Sequence, residues 1–312
     1  MYLGNFIIFD CPNQYSIKLQ KIKLFLLFFF LSNTSSWSQL DYLVNSYKPT
    51  EYHSAPQVRA IAQDSNSIFY LGLKTGVLVF DGIRWEVLEV GDEQAVWSLK
   101  EERGRIYVGS DRDFGFLEQV DTVAAVFKSL APDSSVGRVE RILFDTKGKG
   151  YFQSSNQVYT YFDGKTESLN CVSAADEIFF CFLVEDTLYV QLKELGLQKL
   201  IGNKLEPIYT GFGLARNKIL AHTQFKGKHL LAVDGVGLLT GKNLDQLSPV
   251  NSLNFNINLI HALTPTSGNL LAVGTIGEGV YLLDANLNFV KNINANSGLN
   301  DQVVNTHRII KY

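Results

Sequence analysis

Seven side chains able to hold a polar ligand stand in turns between short apolar runs: Lys74, Arg112, Asp113, Asn156, Lys193, Glu194 and Glu278. The chemistry they offer is recognition rather than bond breaking. Arg112 leads the set, because a planar guanidinium can clamp a carboxylate or sulfate through two parallel hydrogen bonds. Loops are polar whether or not they bind anything, so solvated loop tips are the competing reading. Catalytic signatures are missing: there is no His-Glu-x-x-His, no Gly-x-Ser-x-Gly, no Gly-x-x-x-x-Gly-Lys and no closely spaced Cys/His set. His53, His222, His229, His261 and His307 are scattered, and His222 and His261 fall in apolar runs. There a polar core residue is expected before a metal ligand, which would need clustered partners. The glycine cluster Gly274-Thr275-Ile276-Gly277-Glu278-Gly279 runs into Val280-Tyr281-Leu282-Leu283. That is a strand, whereas a nucleotide loop opens a helix, so the cluster reads as a turn. Asp145-Thr146-Lys147-Gly148-Lys149-Gly150 lacks the further carboxylates of a calcium site and also reads as a turn. No cofactor and no metal are expected.

The elements that position these residues repeat. The second apolar run of each unit ends at Gly72, Gly109, Gln153, Gln191, Asp234 and Gly274, at spacings of 37, 44, 38, 43 and 40 residues. The first run recurs in step at Val58, Val96, Val139, Ile178, Ile219 and Ile260, and a seventh begins at Val303 or Val304. Four short runs per unit, rich in β-branched and aromatic residues and separated by Gly, Asp, Asn and Ser, are strands and turns. A period near 40–45 residues is that of a propeller blade. The expected fold is therefore an all-β propeller of about six complete four-stranded blades and the start of a seventh. Blades are expected over about 57–94, 95–136, 137–175, 176–216, 217–257 and 258–300, with the seventh starting over 301–312. Second strands such as Ile106-Tyr107-Val108 are apolar on both faces, as burial between neighbouring blades requires. Asp81-Gly82 and Asp163-Gly164 suit type I′ hairpins between third and fourth strands. Gly72, Gly109 and Gly274 are expected to let backbones approach closely near the axis. Gln153, Gln191 and Asp234, which replace them, are expected to mark polar groups facing the tunnel. Loops from second to third strand, and from fourth strand to the next blade, emerge together around the tunnel mouth. By analogy with other propellers that face carries the ligand, and it would present the seven residues named above. Trp85 and Trp97 have rings that can stack on a sugar, but both lie within strands, where packing is the expected role.

Composition narrows the partners. With 46% hydrophobic and 19% charged residues the chain of 312 can build a packed core. After residue 38 it carries 30 acids against 25 bases, which argues against a nucleic-acid surface. Lys18, Lys21 and Lys23 precede the apolar Leu24–Leu31, and Ser36-Trp37-Ser38 follows. A basic segment, a short apolar core and small residues at a cleavage point read as a secretory signal over 1–38. Eight apolar residues are too few to span a bilayer, which takes about 20. A linker or lead-in strand is expected over 39–56. Cys11 would leave with the signal. Cys171 and Cys181 would remain, with Cys181 expected to be a small buried hydrophobe rather than half of a bridge.

Tyr47-Lys48-Pro49-Thr50-Glu51-Tyr52, Pro56–Asp64 and Gly76–Trp85 resemble the opening of the periplasmic sensor region of two-component regulator propeller proteins of the Bacteroidetes, the triple-tyrosine type. Arg105-Ile106-Tyr107-Val108-Gly109, Asp113–Leu117 and Ser297-Gly298-Leu299-Asn300-Asp301 resemble later phrases of the same pattern. The resemblance implies an exported, non-catalytic sensing segment, periplasmic or extracellular and tethered to the inner membrane through parts beyond this segment. It implies recognition of a small molecule or glycan, or of another domain of the same protein, and dimerisation of the full-length protein. It also implies an output such as a kinase, cyclase or phosphatase elsewhere. Two other classes remain open: a secreted propeller enzyme acting on glycans as lyase or hydrolase, and a protein-binding scaffold.

Overall fold

The computed structural model describes residues 47, 49–52, 57–119, 125–132, 136–170, 172–173, 175–209, 211–250, 260–266 and 268–298. The signal segment, Cys171, His53, His307 and the seventh start at Val303 or Val304 lie outside them. Each repeat folds into a four-stranded antiparallel sheet whose strands pair in chain order. The sheets span 60–88, 96–129, 141–168, 178–209, 219–249 and 260–293, here blades 1 to 6. This is an all-β six-bladed propeller. Helix among the described residues is confined to one turn at Pro49–Tyr52, inside the segment read as a linker or lead-in strand, and a 3-10 turn at Ala295–Ser297. No helix among them is long and apolar enough to cross a membrane.

Burial follows the radius. Several second strands are well covered: Gly150–Gln153 and Leu271–Thr275 are buried throughout. The outer strand Trp85–Leu88 is exposed at its centre. One sheet cannot cover its own faces, so the apolar layers lie between consecutive blades. Val77 and Val96 sit in the layer joining blades 1 and 2, and Phe114 and Phe152 in the next. Those two rings stack at 4.4 Å. Further layers join blades 3 to 4, 4 to 5 and 5 to 6.

The residue closing each second strand controls how near the following blade can come. A Cβ on Gly72 would lie 2.9 Å from Val96 Cγ1, and one on Gly109 would lie 2.7 Å from Val139 Cγ1 and 2.8 Å from Val139 O. Here glycine is required by close approach, as expected. The glutamines correct the sequence reading. Gln153 and Gln191 do not face the tunnel: they are 1% and 0% exposed. Gln153 Oε1 accepts from Cys181 N at 2.9 Å, and Gln191 Oε1 from Ile219 N at 2.8 Å. Gln191 Nε2 also donates to Leu214 O and Asn217 O. Both receiving strands carry a register shift beside the bond, between Ile178 and Phe180 and between Ile219 and Ala221. Each amide therefore fastens one blade to the irregular start of the next. Asp234 is exposed, and its N–H donates to Lys218 O at 2.9 Å.

The two typed turns part company. Asp163 (φ 48°) and Gly164 (φ 75°) form the tight two-residue turn expected of type I′. Asp81 does not take positive φ. Its Oδ1 accepts from Ile83 N and Arg84 N at 2.8 and 2.6 Å, which opens a four-residue loop instead. Asp145 caps its own hairpin in the same way, accepting from Lys147 N and Lys149 N, and is thus the turn expected of it.

Candidate functional site

The inner strands of all six blades surround a central cavity of about 440 Å³. Alternation along a strand decides what reaches it. Val96 and Ser98 are buried toward neighbouring blades, and Trp97 between them lines the cavity. By the same logic Arg59, Arg141, His222 and His261 line it from blades 1, 3, 5 and 6.

Arg141 sits deepest. Its guanidinium carbon lies 3.5 Å over the Phe180 ring of blade 4, and Nη2 donates to Leu220 O of blade 5 at 3.3 Å. Part of its surface borders the cavity, yet protein surrounds it closely enough that burial pulls its pKa down to about 10. It stays charged at neutral pH. Among the described residues no carboxylate pairs with it. The neighbouring acid, Glu140, is taken by Lys218, whose Nζ donates to Oε2 at 3.3 Å. Arg59 lies 4.6 Å over Trp97, and its buried Nε and Nη1 have no hydrogen-bond partner. Arg138 stacks on the same indole at 3.9 Å, and Trp97 Nε1 donates to Asp111 Oδ1 at 2.7 Å. Trp97 thus contacts two cations and is fixed by Asp111.

The three described histidines, His222, His229 and His261, have pKa values lowered by burial, which favours their neutral form. His222 is pushed down to about 3, first by burial and then by His229 and Arg141. His229 faces it across 3.2 Å, Nδ1 to Nε2, and one of the two nitrogens donates according to tautomer. His261 is lowered by burial, Arg141 and Lys218. Among the described residues no three His, Cys, Asp or Glu side chains come together as a metal site. Cys181 is a buried free thiol whose pKa burial raises.

The seven residues singled out in the sequence all occupy loops between second and third strands, and their contacts are local. Lys74 is exposed. Arg112 is exposed, and its N–H donates to Gln94 Oε1 at 3.0 Å. Asp113 is drawn inward: its Oδ1 accepts from Phe114 N and Ser129 Oγ, each at 2.7 Å, and burial raises its pKa. Asn156 meets Ser154 Oγ at 3.4 Å. Lys193 pairs with Glu177 at 2.8 Å, and Glu194 N–H donates to Ala215 O at 2.6 Å. Glu278 Oε2 accepts from Tyr281 OH at 2.9 Å. The fold brings Arg112 and Asp113 into one loop and Lys193 and Glu194 into another. The guanidiniums of the cavity, Arg59 and Arg141, are additional. Their signal was an Arg inside an apolar inner-strand run, Val58-Arg59-Ala60-Ile61 and Arg141-Ile142-Leu143-Phe144. Trp85 packs, stacked on Phe80 at 4.0 Å beside Tyr47 and Tyr52, while Trp97 reaches the cavity.

No protein-family model matches the sequence, and no curated protein matches it. Solved structures do. The chain is similar to the extracellular domain of the hybrid two-component system BT4673 from B. thetaiotaomicron, at 16% identity and TM-score 0.56 over 72% of this chain. A second structure of the BT4673 extracellular domain gives 16% identity and TM-score 0.59 over 80%. The chain spans 31% and 35% of those two structures. It is also similar to virginiamycin B lyase from Staphylococcus aureus, at 11% identity and TM-score 0.59, over 75% of this chain and 83% of the lyase. At such identities what is shared is the propeller fold.

Proposed function

We propose that this chain is an exported ligand-sensing propeller of a membrane-bound signalling protein. Its ligand sits in the central cavity and the ring face around it. The observation that carries the reading is a small-molecule-sized cavity, within the usual range of about 300–1,000 Å³ for ligand sites, lined by guanidiniums that lack carboxylate partners. The likeness to extracellular domains of a two-component system supports placing such a propeller outside the membrane. The secretory signal read over 1–38 agrees with that placement.

A second reading, a glycan lyase or hydrolase, draws support from the likeness to virginiamycin B lyase. It needs an acid and a base free to move protons at the cavity. Glu140, the acid at the cavity, is tied to Lys218, and His222 is held beside His229, which leaves His261 as a base with no free acid opposite it among the described residues and favours recognition over turnover. The test is a melting screen of the chain against small molecules and glycans, run beside an assay for new reducing or unsaturated ends. A raised midpoint with no product is expected, since a ligand that binds only the folded state stabilises it. Product formation from any glycan replaces sensing with catalysis.

A further inference from the structure

We propose that the central cavity is an oxyanion site, and that the molecule it takes is small and presents a carboxylate, sulfate or phosphate group to Arg59 and Arg141. The inference rests on the cavity being the ligand site and names the chemistry of what binds there.

Both guanidiniums are incompletely paired. A guanidinium offers five N–H donors in a fixed plane. Withdrawing its charge from water is costly unless a counter-charge and hydrogen bonds replace the hydration. Arg141 has one carbonyl acceptor at 3.3 Å and the face of Phe180. Arg59 has the face of Trp97, while its Nε and Nη1 are buried with no acceptor. Both forks border one cavity.

No carboxylate among the described residues completes them. Glu140 is the single acid among the described residues that line the cavity, and Lys218 already holds it. Asp111 outside the lining serves Trp97 and lies 4.0 Å from Arg138. His222 and His261 add N–H groups but no negative charge. Planar forks that lack acceptors match the bidentate geometry of carboxylate, sulfate and phosphate oxygens. A cavity of about 440 Å³ admits a small molecule, not a chain of sugars or a protein segment lying across it.

The experiment uses the chain and three probes, inorganic sulfate, inorganic phosphate and citrate, each at constant ionic strength set with sodium chloride, with glucose as the neutral comparison. Calorimetry and thermal melting follow binding. At least one probe should bind saturably and raise the midpoint, and Arg59→Gln and Arg141→Gln should each weaken it tenfold or more. Lys204→Gln, on an outer strand, should leave it unchanged. If Arg141→Gln does not fold, Arg59→Gln decides alone. Which probe binds best separates carboxylate from sulfate and phosphate. Anion binding untouched by both arginine substitutions overturns the site, and so does the absence of saturable binding by any of the three. Glucose binding lost in Arg59→Gln, with no anion bound, overturns the anion assignment and leaves the cavity as a sensing site. No binding by any probe, together with a melting screen that finds no ligand, removes both readings.

Discussion

Burial favours the neutral form of His222. The side chain packs 4.0 Å from the Phe182 ring and meets His229 at 3.2 Å, and its pKa falls to about 3 from an ordinary 6.5. The unfolded chain therefore takes up a proton first as pH drops. Stability owed to neutral His222 is complete above pH 6.5 and is lost as pH falls from there toward 3, by ~1.4 kcal/mol per pH unit for one proton. His229 and His261 are lowered too and act in the same direction. Urea midpoints between pH 7.5 and 5 should fall, and His222→Phe should flatten the slope; an unchanged slope in the variant would place the proton elsewhere. The sequence showed His222 and His261 inside apolar runs and so gave their setting, but it could not show that they share a cavity with Arg141. That neighbourhood is assembled from blades 3, 5 and 6, and no local pattern encodes which side chains meet across an axis. Gln153 and Gln191 teach the same lesson in reverse. They stood out by interrupting a series of glycines, yet alternation assigns a side chain only to a face of its strand. Whether that face meets the tunnel or a bulged backbone in the next blade depends on the neighbour.

Strands were more legible than the connections between them. Two-residue alternation and Gly/Asp turns set out four strands per unit, because both signals act within a few residues. Asp163-Gly164 followed its local preference, whereas at Asp81 the carboxylate captured two backbone N–H groups and relaxed the turn. At Gly72 and Gly109 the glycine expected near the end of a second strand meets a contact requirement, and Gly109 tests it. An added methyl would meet Ser98 Oγ and both Val139 Cγ1 and Val139 O, and backbone oxygen cannot swing aside as a side chain can. Gly109→Ala should lower the unfolding free energy by ~1–3 kcal/mol, the usual range for overpacking. Gly104→Ala is a useful comparison, because its φ of 77° strains an alanine while nothing lies near the added methyl. A loss at Gly109 no larger than the purely conformational loss at Gly104 would show that the blades can separate to admit the methyl.

The whole ring combines two kinds of cohesion with different radii. Between blades, apolar layers and hairpin-tip bonds act at all distances from the axis. Arg103 Nη2 donates to Thr146 O, Thr146 N and Oγ1 donate to Asp186, and Lys226 donates to Asn269. At the axis itself, Lys218 with Glu140 and Arg141 with Leu220 O reach from blade 3 to blade 5 past blade 4. An inner strand can then open only if several blades move together. An outer strand such as Trp85–Leu88 or Ala125–Ser129 has exposed residues on its own sheet edge and can fray alone. Hydrogen exchange should therefore divide by radius: peptides from Arg141–Phe144 and Ile219–Phe225 should exchange only with global unfolding. Peptides from Trp85–Leu88 and Ala125–Ser129 should exchange earlier, by ~2 kcal/mol or more, since local openings span the range from near zero up to the global free energy. In Glu140→Gln the inner strands of blades 3 and 5 should lose protection together while Ala60–Gln63 keeps its own. Loss confined to blade 3 would mean that the contacts across the axis are incidental and that each blade is held by its immediate neighbours alone.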